Sequence, residues 1–308
     1  MPGKWFRCPD GQTIEIAKCQ STGGCRLGQR CATRAYLALV GYDRPWKGVS
    51  PSSAGTGPRA MYLKATTNYV INPEDRVYAT FGTAIHEKLS DERFTDNVLA
   101  EEPLSDGEIE GTTDHLEADE EVEGMYILSD YKTAGNFKVA KWLGIRTESV
   151  DEPLFNTDGS PVLLKSGKNK GTQKTKKKTT KIIEPLEVDI RAETLQLNRY
   201  RIMFEAGGFP ISRMQIQAIP RDGGTFVAIN RGIDRKIYLI PIKRMVNNDV
   251  LEFYRKLSEQ VQEAFDTGYT RKCTPWESWD GRRCDKYCEV REACFAMSRA
   301  NGQKTGII

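Results

Sequence analysis

The stretch YILSDYKTA, Tyr126 to Ala134, places a carboxylate and an amine directly after an apolar run. Side chains alternate across a strand, so Asp130 and Lys132 share a face with Tyr126 and Leu128. Upstream, EGTTDHLE carries Asp114 in a second strand-like run. Two adjacent strands can present Asp114 and Asp130 across one sheet edge. Carboxylates that close repel each other, and one stays protonated unless a cation lies between them. A hard divalent ion with oxygen ligands meets that requirement. Further upstream, GTAIHEK sets His86 four residues after Gly82 on a helical pattern, so both share a face and the glycine leaves room beside the imidazole. These residue types predict a site in which His86, Asp114 and Asp130 hold one Mg²⁺ or Mn²⁺, with the Tyr131 carbonyl as a further ligand. The imidazole makes Mn²⁺ more acceptable than in an all-oxygen site. Such an ion polarises a phosphate oxygen and lowers the pKa of bound water. Lys132 beside it would orient or deprotonate the attacking water and offset charge in the transition state.

Two further features bear on an anionic substrate. LQLNRY places Gln196 and Tyr200 on one helix face, four residues apart, where an amide and a phenol can hydrogen-bond a phosphate or a base edge. An amphipathic helix with a buried tyrosine reads the same way. The stretch from Lys165 to Lys181 holds eight lysines and no acid, whereas Glu101 to Glu123 is strongly acidic. The net charge is only +3, so distribution matters more than the total. A lysine run is commonly a solvated loop; here Lys176, Lys177 and Lys178 are also candidates for tracking a nucleic-acid backbone.

The elements that must position these groups follow from periodicity. Val77, Phe81, Ile85 and Leu89 recur every four residues, which predicts a helix over 74–89 introduced by Asn72-Pro73. Strands are expected over 108–117 and 125–132. Residues 144–186 are poor in apolar side chains and read as an insertion holding the lysine run. A helix over 192–205 ends at Gly207-Gly208. Strands are expected over 214–219, 225–229 and 235–242, the first two joined by the turn signal RDGG. A long helix covers 250–265. Strands mixed with helices in no regular alternation predict an α/β domain with a mostly mixed sheet.

In this order, GTAIH, GTTDHLE, DYK and QLNRY resemble the GxxxH, acidic-strand, (D/E)xK and QxxxY motifs of the RecB-type nucleases of the PD-(D/E)XK superfamily. The likeness spans about residues 74–242. It implies a restriction-endonuclease-like core, a mixed central sheet flanked by helices. It also implies metal ligation by His86, Asp114 and Asp130, catalysis by Lys132, DNA contacts by Gln196 and Tyr200, and Mg²⁺- or Mn²⁺-dependent hydrolysis of DNA phosphodiesters. The implied reaction is exonucleolytic, on single strands or duplex ends, serving recombination, repair or spacer acquisition beside a helicase, recombinase or integrase partner.

Eight cysteines lie at the two ends of the sequence, spaced x10, x5, x5 in the first quartet and x10, x3, x5 in the second. A subgroup of the same family, resembling CRISPR-associated adaptation exonucleases and AddB-type nucleases, holds a 4Fe-4S cluster with one cysteine before the core and three after it. That likeness implies Cys31, Cys284, Cys288 and Cys294 as iron-sulfur ligands joining the chain ends, leaving Cys8, Cys19, Cys25 and Cys273 for a second, zinc site. The alternative is that each quartet holds its own ion locally. Thiolates suit zinc and iron-sulfur alike. The resulting segmentation is a cysteine-rich segment at 1–60, a nuclease core at 61–269 with its insertion at 144–186, and a second cysteine-rich segment at 270–308.

No run of 18 apolar residues spans a membrane, and MPGKWFRCPDG lacks a secretory signal's apolar segment, so the expectation is a cytoplasmic protein. In a reducing cytosol clustered cysteines point to metal rather than disulfides. No CxxC is present, which weighs against a thiol-redox protein. The competing reading is a non-catalytic DNA-binding module with structural zinc or iron-sulfur sites; a binding module has no need of His86, Asp114, Asp130 and Lys132 together.

Overall fold

The computed structural model describes residues 3–42, 44–91 and 98–300. The last eight residues of the C-terminal cysteine-rich segment fall outside that range. The chain is mixed α/β. It opens with β1 (Trp5–Arg7), β2 (Thr13–Glu15), α1 (Ile16–Gln20), α2 (Arg34–Gly41), α3 (Pro58–Thr66) and β3 (Val70–Ile71). β1 pairs antiparallel with β2 and parallel with β3 in a small mixed sheet. Next come α4 (Val77–Asp91), β4 (Val98–Ser105), β5 (Glu110–Ala118), β6 (Tyr126–Ala134), α5 (Asn136–Trp142), β7 (Ile145–Pro153) and β8 (Thr175–Ile183). The remainder is α6 (Arg191–Ala206), β9 (Ile211–Pro220), α7 (Phe226–Asn230), β10 (Tyr238–Ile242), α8 (Asn247–Thr267), α9 (Pro275–Ser278), α10 (Arg282–Lys286) and α11 (Arg291–Ala300). The main sheet has the order β10-β9-β6-β5-β4, with β4, β5 and β6 antiparallel. Among the described residues no helix is long and apolar enough to cross a membrane.

Two compact units divide the chain, and neither is a single segment. The larger runs up to Asp130 and adds Arg191–Met214 and the chain from Ile242 onward; the smaller is Tyr131–Ile190 with Gln215–Pro241. In the larger unit the two ends of the chain meet in one apolar core. Phe6, Leu37, Leu63 and Ile71 pack there with Val290, and Cys8, Cys288 and Cys294 lie against them. Arg76 and Lys64 reach Glu289 at 2.7 and 2.9 Å, and Arg59 Nη1 donates to Ser298 Oγ at 2.9 Å. α8 buries Val250, Tyr254, Leu257, Val261 and Ala264, the three-four spacing of an amphipathic helix. It ends where Gly268, at φ 71°, turns its N–H back to the Ala264 carbonyl, a left-handed cap that glycine adopts without steric cost.

The smaller unit holds the 144–186 region, where β7 and β8 form a long antiparallel hairpin. A run of lysines and β-branched residues suffices for a strand whose faces are both wet, and β8 is exposed along almost its whole length. One expected strand is absent. Residues 225–229 instead form the start of α7, because Thr225 Oγ1 accepts the Ala228 N–H and closes a helical turn. The apolar run Phe226 to Ile229 resembled a strand, yet only Ala228 of the turn is buried. The α4 stripe has the expected helical period, but none of its described side chains is fully buried, and Phe81 is exposed.

Candidate metal centre

The β4–β5 hairpin sets the site by register. Ala100 pairs with His115 and Glu102 with Thr113, so Glu101 and Asp114 stand opposite each other between those rungs. On the other side His115 pairs with Ser129, and one further step in the same register sets Asp114 opposite Asp130. Opposed residues share a sheet face. Leu99, Leu116 and Leu128 form one row of that face, and Glu101, Asp114 and Asp130 form the next row on the same side. The carboxylate at the end of the apolar strand face is therefore one of three in a line across three strands.

His86 comes to this row from α4. Its Nδ1 lies 3.2 Å from Asp114 Oδ1 and 3.8 Å from Glu101 Oε1. Ligand atoms of His86, Glu101 and Asp114 all lie within 4.8 Å of one another, the only such group of three among the described residues. Exposure grades along the row: the Glu101 side chain is 40% exposed, Asp114 12%, and Asp130 is 3% exposed as a residue. Glu101 also has a φ of 52°, a left-handed conformation uncommon for a residue with a side chain and absent from ordinary strands. Burial, and next the Asp114 charge, push the Glu101 carboxyl above its usual range, while His86 pulls it down. Like charges directly opposite on paired strands destabilise the pair, and a cation among them reverses the sign.

α6 meets the buried end of the row. Gln196 Nε2 donates to Asp130 Oδ1 at 2.9 Å. Tyr200 Oη donates to the Thr112 carbonyl at 2.8 Å, and burial, then the Asp130 and Asp114 charges, keep its phenol protonated far above the ordinary range. Gly111 permits this approach: a Cβ there would meet Tyr200 Oη at 2.8 Å. Arg199 reaches the turn that follows β4 and pairs with Asp106, whose Oδ1 accepts the Glu108 and Ile109 N–H groups. Gln196 and Tyr200, expected to touch DNA, are 8% and 3% exposed and bonded to protein atoms. Gln196 holds one carboxylate of the row, and Tyr200 holds β5 two residues before Asp114. Lys132 follows Asp130 by two residues on β6, half-buried and on the same face by strand alternation, with Tyr131 between them.

Sequence reasoning chose His86, Asp114 and Asp130. The ligand atoms that converge are those of His86, Asp114 and Glu101, and Asp130 stands next in the row outside that group. Sequence reasoning passed over Glu101. The signal was the Asp106-Gly107 turn, which fixes the hairpin register and with it the partner of Asp114. The lysines expected to meet a nucleic acid lie on β8, where Lys178 Nζ pairs with Glu152 at 2.7 Å and Lys177 stands opposite Asp151.

The eight cysteines are free thiols, with Cys19 buried and Cys31 exposed. Cys8, Cys19, Cys25 and Cys31 line one small cavity. Burial, then the charges of Cys31, Cys8 and Cys25, push the Cys19 thiol up. In the second quartet, burial, then Glu277, and further Cys294 and Cys284, push the Cys273 thiol up to about 11. Among the described residues no three cysteine sulfurs lie within 4.8 Å of one another.

No protein-family model matches the chain, and no curated protein matches it. Among solved structures, the crystal structure of SSO0001 is similar over 85% of this chain and 92% of that one, at 14% identity and a TM-score of 0.41.

Proposed function

We propose that the chain is a divalent-metal-dependent deoxyribonuclease with a restriction-endonuclease-like core of the RecB type, acting on single-stranded DNA or duplex ends. One observation carries this reading: a helix histidine stands over carboxylates aligned across adjacent strands, with Lys132 two residues beyond the most buried of them. His86, Glu101 and Asp114 offer one nitrogen and several oxygens, a donor set suited to Mn²⁺ or Mg²⁺, and the charge they concentrate calls for a cation. When bound, such an ion supplies Lewis acidity toward a phosphoryl oxygen and a water of lowered pKa. Gln196 holds the Asp130 carboxylate in one orientation. The Lys132 amine orients or deprotonates the water and then offsets the charge that builds on the phosphorus oxygens.

The test is digestion of end-labelled DNA with Mn²⁺ by the wild type, Asp130→Asn and Lys132→Ala. Nucleotide release by the wild type, reduced at least about a hundredfold in Lys132→Ala, is expected. Equal release by all three identifies a contaminating nuclease and ends the assignment. Binding without cleavage by the wild type favours the DNA-binding module instead.

A further inference from the structure

We infer that Cys8, Cys19, Cys25 and Cys31 form a self-contained tetrathiolate zinc site, separate from the C-terminal cysteines and from the acid row. All four line a single cavity of about 20 Å³, room for one water-sized guest. No three of their sulfurs lie within 4.8 Å of one another, so the ion has to draw them in to zinc–sulfur bonds of about 2.3 Å. They reach it from four places: the residue after β1, the last turn of α1, and two points in the connection between α1 and α2.

Two of these places share a local geometry. In Cys8-Pro9-Asp10-Gly11 the Gly11 N–H donates to the Cys8 carbonyl at 2.8 Å, and Gly11 has a φ of 81°. In Cys25-Arg26-Leu27-Gly28 the Gly28 N–H donates to the Cys25 carbonyl at 3.2 Å, and Gly28 has a φ of 77°. A Cβ on either glycine would meet nothing within 4 Å. Their requirement is thus the left-handed backbone and not space. The same backbone turn is thus used twice, each time with a cysteine at its head lining the same cavity.

The connection itself needs a fastening. Residues 21–33 contain no helix or strand, and Leu27, their largest apolar side chain, is exposed. A structureless run of this length seldom holds shape without a functional or covalent tie. Local bonds such as Arg30 Nη2 to the Ser21 carbonyl, at 2.6 Å, bury little apolar surface. A structural zinc supplies the missing free energy, because the ligands converge only in the folded chain. Four thiols binding Zn²⁺ release four protons and leave a dianionic centre with no change of oxidation state. Arg26 and Arg30 line the same cavity and offset that charge.

The grouping also separates zinc from any iron. Cys31 belongs here, which leaves Cys273, Cys284, Cys288 and Cys294 as the cysteines outside the cavity. The experiment measures zinc and iron per chain in the full-length protein, for the wild type, Cys25→Ser, Cys31→Ser and Cys284→Ser. Loss of one zinc per chain is expected in Cys25→Ser and Cys31→Ser, with iron content unmoved, and that zinc is expected to persist in Cys284→Ser. Loss of iron on Cys31→Ser, or zinc unchanged by both N-terminal variants, overturns the site. Should the serine variants fail to fold, X-ray absorption at the zinc edge of the wild type decides: four sulfurs at about 2.3 Å support the site, and nitrogen or oxygen ligands overturn it. Fewer than eight titratable thiols in metal-stripped, denatured protein would mean disulfides and overturn it too.

Discussion

Glu101 combines three features that a merely exposed acid lacks: a left-handed backbone, a like charge directly opposite, and a histidine at 3.8 Å. Such conformations persist where the surroundings over-determine them. In metal-free protein the charge should be a burden, and Glu101→Gln should relieve it by a few tenths of a kcal/mol, at the low end because the side chain is 40% exposed. With Mn²⁺ at about a hundred times its dissociation constant the order should reverse, since the wild type gains about 2.7 kcal/mol and the variant less. Thermal melts of both proteins with and without Mn²⁺ measure this, and an equal Mn²⁺ shift in the two would remove Glu101 from the ligand set. The pH dependence has a definite sign. The folded carboxyl holds its proton more tightly than the unfolded one, whose value is near 4.5. Metal-free wild type should therefore gain stability as pH falls through the folded pKa toward that value, and Glu101→Gln should flatten the slope.

α6 binds the site at the scale of one helix. Gln196, Arg199 and Tyr200 lie three and four residues apart and so share a face, and they reach Asp130, Asp106 and the Thr112 carbonyl in turn. The helix was legible in the sequence to within a residue or so at each end, because Gly207-Gly208 stops it and its period is regular. The direction of its polar face was not. A buried glutamine and arginine look like surface residues in a linear pattern, while a buried tyrosine is one of two readings of LQLNRY, and the hairpin they fasten decides for the interior. Arg199 is 1% exposed, and its Nε and Nη1 find no hydrogen-bond partner among the described residues, so Asp106 carries much of its compensation. Removing that partner in Asp106→Ala should cost about 3 kcal/mol by leaving a guanidinium buried. Burial pushes the Asp106 carboxyl up, but the Ile109 N–H and the Arg199 guanidinium outweigh it and hold the group below its usual 3.8. A depressed folded pKa gives stability that is complete above the unfolded value and lost as pH falls through the folded one. Denaturant melts should show the wild type and Asp106→Ala far apart at neutral pH and converging in acid; a constant gap would mean the ion pair is not the source.

Across the whole molecule, charge is arranged by strand pairing more than by sequence blocks. The compact units cut across the linear segments because strands far apart in sequence pair in one sheet, a non-local fact that composition does not carry. The lysine run illustrates the consequence. As a string it holds eight cations, yet in the β7–β8 hairpin Lys177 faces Asp151, Lys176 faces Glu152, and Lys178 pairs with Glu152 at 2.7 Å. Both strands are wet, so these pairs are weak and a phosphate can compete for the lysines, but part of their charge is already answered. Each phosphate neutralised on single-stranded DNA contributes about 0.7 to the slope of log affinity against log salt. Replacing Lys176, Lys177 and Lys178 with Gln should therefore lower that slope by less than the roughly 2 units that three free lysines would give. Fluorescence anisotropy of a labelled single strand across a salt series measures it. A slope and low-salt affinity both unchanged would show that the hairpin is a solvated arm with no part in DNA binding, while a drop of the full 2 units or so would show that the acids of β7 swing clear when DNA arrives.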